Sequence, residues 1–217
     1  MNQTTTVAQG DHTIRTEAQL REVLGQAEGL AVTKSLKKLD RYCKQYLALS
    51  PFLLIGTANA QGKADVSPRG DASGFAIVLD DTTIAIPDRP GNNRADTMVN
   101  IIQNPNVGLI FLVPGFDDTL RINGKATITT DPAILKRMVM EGKEPKLAIR
   151  IHVEEAFLHC AKAFRRSRLW DPASKLPREV MPSLARMILE QTGSKSDEKT
   201  VAEADAYIEE NYRTDLW

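Results

Sequence analysis

Two short segments hold the residues best suited to chemistry. Asp65-Val-Ser-Pro-Arg-Gly-Asp71 and Asp88-Arg-Pro-Gly-Asn-Asn-Arg94 each set basic side chains among turn-forming residues. Pro68 and Gly70 constrain the backbone around Arg69, which suits presentation of its guanidinium to a ligand. The second segment follows the apolar run ending at Ile86 and Pro87 and opens into an amphipathic stretch, Ala95 to Ile102. A strand-to-helix turn leaves backbone N–H groups unpaired at the positive end of the helix dipole. With Arg94 beside them, those groups suit a phosphate. The same residues also suit an ordinary turn capped by Asn92 or Asn93, with Arg69 a solvated residue at a strand end.

A third segment, His159-Cys-Ala-Lys-Ala-Phe-Arg-Arg-Ser-Arg-Leu-Trp-Asp171, interleaves Lys162, Arg165, Arg166 and Arg168 with Phe164 and Trp170. It reads either as a basic solvated helix with two aromatics turned inward or as a surface for a planar, anionic ligand. No nucleic-acid partner is expected, because the formal net charge of the 217 residues is zero and no RNP-type motif occurs.

Other chemistries find no footing. There is no G-x-G-x-x-G after a strand, no P-loop, no G-x-S-x-G elbow, no C-x-x-C and no H-E-x-x-H. His152, His159 and Cys160 lack the tight ligand pairs of a structural zinc site, so no metal is expected. No stretch approaches the roughly 18 apolar residues of a membrane span. Residues 1–16 are polar and read as a disordered lead. With no secretory signal expected there, Cys43 and Cys160 read as reduced thiols of a cytoplasmic protein.

The elements that would position these residues follow from periodicity. One helix is expected to begin after Thr16, and a second to run over 32–49, on Leu36, Leu39, Tyr42, Cys43, Tyr46 and Leu47. Hairpins are expected over 52–57 with 63–67, turning at Asn59–Gly62, and over 75–79 with 82–86. A helix over 95–102 follows, then a strand over 107–113. A long strand over 119–130, interrupted at Gly124, comes next. The rest reads as a short helix over 131–140, a strand over 147–153 and a helical end from Arg178. Antiparallel hairpins with helices at both ends predict a mainly β, α+β chain, and a closed or split barrel rather than βαβ repeats. One domain over 17–217 is expected.

The segments Val66–Asp71, Asp88–Arg94, Leu120–Ala126 and His159–Ser167, in this order, resemble the pyridoxamine 5'-phosphate oxidase-like family of FMN-binding split barrels. The resemblance covers about residues 30–175. It implies an antiparallel split barrel, FMN as cofactor, and a homodimer with the flavin at the subunit interface. It implies ring contacts from Ser67 and Arg69, and ring-edge and phosphate contacts from Pro87, Asp88, Asn93 and Arg94. Arg121, Lys162, Arg165 and Trp170 correspond to regions that approach the flavin, the last three from the partner subunit. Family oxidases often carry an Arg-Lys pair at the turn. Asn93-Arg94 stands here instead, so one phosphate-binding cation is missing or supplied elsewhere. The C-terminal Arg-x-His pattern for a vitamin B6 substrate is absent. Function reads as an FMN-dependent oxidoreductase on a small molecule, with NAD(P)H a possible donor, or as a flavin carrier or sensor without turnover. A split barrel that has lost flavin and binds haem or another planar ligand is a third reading.

Overall fold

Alternating burial explains the strands. In β1 (Phe52–Ala58), Leu53, Ile55 and Thr57 face inward and are buried, while their neighbours are half-buried on the other face. The computed structural model describes residues 12–216. The chain divides into a unit ending at Lys34 and a unit from Ser35 onward. The first unit holds α1 (Glu17–Leu24) and α2 (Leu30–Thr33). Thr16 caps α1 as expected. Its hydroxyl accepts the Gln19 N–H at 3.2 Å, and the Gln19 side chain accepts the Thr16 N–H at 3.2 Å, a reciprocal capping box. The expected disordered lead falls, up to residue 11, outside the described residues.

The second unit is built on seven strands. After α3 (Arg41–Leu49) and β1 come β2 (Ala64–Gly70), β3 (Ile77–Asp80), β4 (Thr83–Pro87), α4 (Asp96–Gln103), β5 (Asn106–Leu112) and β6 (Thr119–Thr129). Then follow α5 (Pro132–Leu135), β7 (Ala148–His159), α6 (Lys162–Ser167), α7 (Leu184–Gln191) and α8 (Glu198–Thr214). The strand order is β2-β1-β5-β6-β7-β4-β3, with every pairing antiparallel. The end strands β2 and β3 do not pair with each other, so the barrel is split. Leu53, Ile55, Ile84, Ile86, Leu109, Phe111, Leu120, Ile122, Ile149 and Ile151 are fully buried inside it. Each contributes about 1.5–3 kcal/mol by leaving water.

Several boundaries differ from the expectation. The helix expected over 32–49 is two pieces. Leu36 pairs with Ala156 as a β-bridge, and the Ser35 hydroxyl donates to Glu155 at 2.6 Å, so this stretch is drawn onto the sheet. Asp40 then starts α3 by accepting the Cys43 N–H at 2.8 Å. The helix expected to reach Met140 ends as a 3₁₀ turn at Met138. β2 continues through Pro68 and Arg69 to Gly70, so Arg69 lies within a strand rather than past its end. β3 begins at Ile77, leaving the buried Phe75 in the preceding loop. β7 extends six residues beyond the expected Val153, to His159.

Gly124 does not interrupt β6. It sits where the β6–β7 register slips past Glu154, between the pairs Asn123↔Glu155 and Gly124↔Val153. A Cβ there would lie 2.0 Å from the His152 carbonyl oxygen, so only glycine lets the two backbones approach. Gly124→Ala is expected to destabilise the fold by about 1–3 kcal/mol, as overpacking does. Urea unfolding measures this, and a loss under about 0.5 kcal/mol, the ordinary range of surface substitutions, would show that the bulge absorbs a methyl group freely.

Candidate functional site

β2 and the segment after β4 belong to opposite ends of the sheet order, yet two ion pairs tie them together. Arg69 on β2 reaches Asp88 at 2.7 Å, and Arg89 reaches back to Asp71 at 2.7 Å. Each segment therefore lends an arginine to the other's aspartate. The Asp71 side chain is 0% exposed and that of Arg89 13%, so this pair is buried. Arg89 also donates to the Met138 carbonyl at 2.8 Å. Arg69 touches the Met98 sulfur of α4 at 3.8 Å, and its Nε–H is buried with no acceptor. α4 is held against the sheet by Asn100, whose side chain donates to the Thr57 hydroxyl at 3.0 Å.

Between these segments lies a cleft of about 720 Å³, lined by β2 from Asp65 to Arg69, by Asp88 through Met98, and by Lys146 and Leu147. Of the residues expected from sequence, it gathers Ser67, Arg69, Asp88, Asn93 and Arg94. Pro87 is buried at the end of β4, opposite Ala148, behind this lining. Asn93 and Ala95 both have φ of 55°, in the left-handed region, and this contorted turn delivers the chain to α4. Ala95 has no side chain to cap the helix. The capping expected of Asn92 or Asn93 is absent: Asn92 instead accepts the Arg94 N–H at 3.1 Å within the turn. Arg94 is largely exposed and bonds Asp96 at 2.8 Å, a contact that holds its guanidinium more firmly in the charged form.

Arg121, Lys162, Arg165 and Trp170 lie elsewhere on the chain. Arg121 stands on the outer face of β6, 3.3 Å from Asn123 and over the Phe157 ring. Arg165 pairs with Asp117 at 3.1 Å. Trp170 stacks on Phe164 and donates its indole N–H to the Phe116 carbonyl at 2.8 Å. Lys162 opens the same short helix as Arg165. Arg165 and Trp170 thereby bond the β5–β6 turn. Of the thiols, Cys43 is buried and pushed up to about 11 by loss of hydration, so it remains protonated at neutral pH. Cys160 is exposed just past the end of β7.

Sequence reasoning passed over Asp71 and Arg89, the buried half of the crossed pairs. The repetition of Arg and Asp in both segments was the available signal. Lys146 gave none, since it reaches the cleft through the pairing of β4 with β7.

An antiparallel split barrel with a cleft between its open ends defines the class of protein. The family model for pyridoxamine 5'-phosphate oxidase matches residues 39–160, more than half of the chain, and the chain belongs to that family. No curated protein matches the sequence. Among solved structures, the chain is similar to HupZ from Group A Streptococcus, at 21% identity and a TM-score of 0.46. That match covers 55% of this chain and 93% of the other. It is similar to an FMN-binding protein from Syntrophomonas wolfei at 12% identity and TM-score 0.43, covering 56% and 88%. General Stress Protein 26 from Bacillus anthracis matches at 16% and 0.38, covering 54% and 93%.

The crossed pairs make a stability prediction. Arg89→Leu leaves the Asp71 carboxylate buried and uncompensated, which is expected to cost about 3–5 kcal/mol. Adding Asp71→Asn removes that charge and should recover part of the loss. Chemical denaturation of the wild type, of Arg89→Leu, of Asp71→Asn and of the double variant tests this; strictly additive losses would show that the pair is not coupled.

Proposed function

We propose that this chain binds FMN in the cleft between β2 and the turn after β4. We propose also that it passes hydride or electrons between FMN and a small molecule. The observation that carries this reading is the cleft itself, in a chain of this family. Its β2 wall sets Ser67 and Arg69 on the inward register, opposite Ile55 and Leu53. Its far end is an uncapped helix start beside Arg94. The unmet Nε–H of Arg69 on that wall and the polar turn fit a group with ring carbonyls at one end and a phosphate at the other.

Bound FMN would supply the redox chemistry. The chain's part is to bind and orient it. Asn93, Arg94 and the start of α4 hold the phosphate, while Ser67, Arg69 and Asp88 border the ring. Arg69 is already balanced by Asp88, so its leverage on the charge of the ring is reduced. No His, Cys or Tyr lines the cleft among the described residues. A second reading is a flavin carrier or sensor without turnover, in which the carboxylates of the cleft serve only to hold its arginines.

In this reading the protein is a homodimer. Paired neighbours Pro68, Leu54, Ile110 and Arg121 lie across the outer sheet face, as do Val66, Gly56, Gly108 and Asn123. Val66 is 65% exposed and Ile110 39%, and such an apolar face suits burial against a second copy. Arg121, Lys162, Arg165 and Trp170 would then approach the partner's flavin. No helix among the described residues is long and apolar enough to cross a membrane; a cytoplasmic location is part of the proposal.

Three outcomes are expected. The purified protein shows a flavin spectrum that NAD(P)H bleaches; a spectrum that stays oxidised selects the carrier or sensor reading, and no flavin uptake removes both. Sedimentation gives twice the chain mass at micromolar concentration, and a clean monomer counts against the dimer. Arg94→Ala weakens FMN binding by roughly tenfold to a hundredfold, the ~1.5–3 kcal/mol of a charge-assisted contact, and leaves riboflavin binding unchanged. Equal FMN affinity in both proteins would reduce the turn to a plain helix entry.

A further inference from the structure

We propose that Lys146 is a phosphate-binding residue of the cleft, the cation that lets a charge-balanced wall hold a dianionic group. The inference rests on the reading of the cleft as an FMN site and names a residue of that site which the turn motif does not contain.

Charge is the first argument. Three guanidinium groups line the cleft, and each is already answered by a carboxylate: Arg69 by Asp88 at 2.7 Å, Arg89 by Asp71 at 2.7 Å, and Arg94 by Asp96 at 2.8 Å. Asp65 adds a further carboxylate to the wall, close enough to act on Arg94. In the lining itself Arg69, Arg89 and Arg94 are therefore matched by Asp65, Asp88 and Asp96, with Asp71 buried behind them. A bound phosphomonoester brings about −1.5 to −2 more charge at neutral pH. Such a balanced wall offers that charge no net attraction unless another cation is near. Lys146 lines the same cleft, and among the described residues it has no carboxylate partner.

Position is the second argument. The antiparallel pairing of β4 with β7 reaches Pro87↔Ala148. It continues one step, where the Asp88 N–H donates to the Leu147 carbonyl at 3.0 Å. The next residues in this register are Arg89 and Lys146. Pro145 is buried and Leu147 half-buried on either side, so the Lys146 backbone is fixed beside the phosphate turn while its side chain stays exposed. An ammonium on a flexible stem needs no fixed fork geometry and can swing onto a phosphate oxygen. Arg94, by contrast, must share its guanidinium with Asp96.

The test titrates wild-type and variant chains with FMN and with riboflavin, read by quenching of flavin fluorescence. Lys146→Gln should weaken FMN about tenfold or more and leave riboflavin unchanged. Lys146→Arg should restore most of the loss. Lys143→Gln, in the neighbouring groove that Lys146 also borders, should match the wild type. Added salt should weaken FMN binding to the wild type more than to Lys146→Gln. Wild-type FMN affinity in Lys146→Gln overturns the inference and leaves the FMN reading standing, provided the wild type still prefers FMN to riboflavin. Equal losses for both flavins, or the same loss in Lys143→Gln, also overturn it. A wild type that takes up neither flavin overturns the inference and the FMN reading together.

Discussion

Two side-chain ion pairs do the work that backbone pairing does elsewhere in this sheet. β2 and the β4–β3 ribbon stand at opposite ends of the strand order and share no ladder. A barrel left open in this way has an undefined gap. Arg69 to Asp88 and Arg89 to Asp71 cross that gap in both directions and fix its width. Buried ion pairs often add little net stability, because desolvation offsets attraction. Their value here is registration. One pair alone would act as a hinge; two, running opposite ways, hold both segments at a set separation. The cleft is the space they leave.

The same arrangement explains the character of the open edge. β2 pairs only with β1, so its other side has no partner strand. Pro68, which has no N–H to donate, is tolerated there and would break a central strand. The edge is kept from pairing with foreign strands by a proline and by charged neighbours committed across the gap. It also follows that the cleft's arginines are structural first. Each is held by a carboxylate of the protein, and in the proposed FMN site a phosphate would have to share Arg94 with Asp96.

The sheet was legible because alternation is local. Leu53, Ile55 and Thr57, or Ile149, Ile151 and Val153, announce an inner face without knowledge of their partners. Leu36 and Leu39 misled because their spacing fits a helix as well as an entry to the core, and only the distant Ala156 decides between them. The crossed arginines were not legible for a related reason. Arg69 and Asp88 are 19 residues apart, and Arg89 and Asp71 are 18. Nothing in either segment says that the ends of the sheet come together. Lys146 depends on the register of two strands more than 50 positions apart, which no local pattern encodes.

The ten candidate residues separate into groups on one chain, and the sheet itself explains why. Its inner face is filled by core side chains, so a ligand has access only at the split or from outside. The residues at the split come from β2 and the β4–α4 turn. Arg121 faces outward from β6, and Arg165 and Trp170 bond the β5–β6 turn, with Lys162 on the same short helix as Arg165. No rotation of a side chain moves this second group to the split. If both groups act on one ligand, they must come from different copies. The outer face between them carries Leu54, Val66 and Ile110, with Gly56 paired to Gly108. Small residues there permit a close approach of two sheets. In an isologous pair, each copy would then complete the other's cleft, and the assembly would hold two equivalent sites that neither chain forms alone.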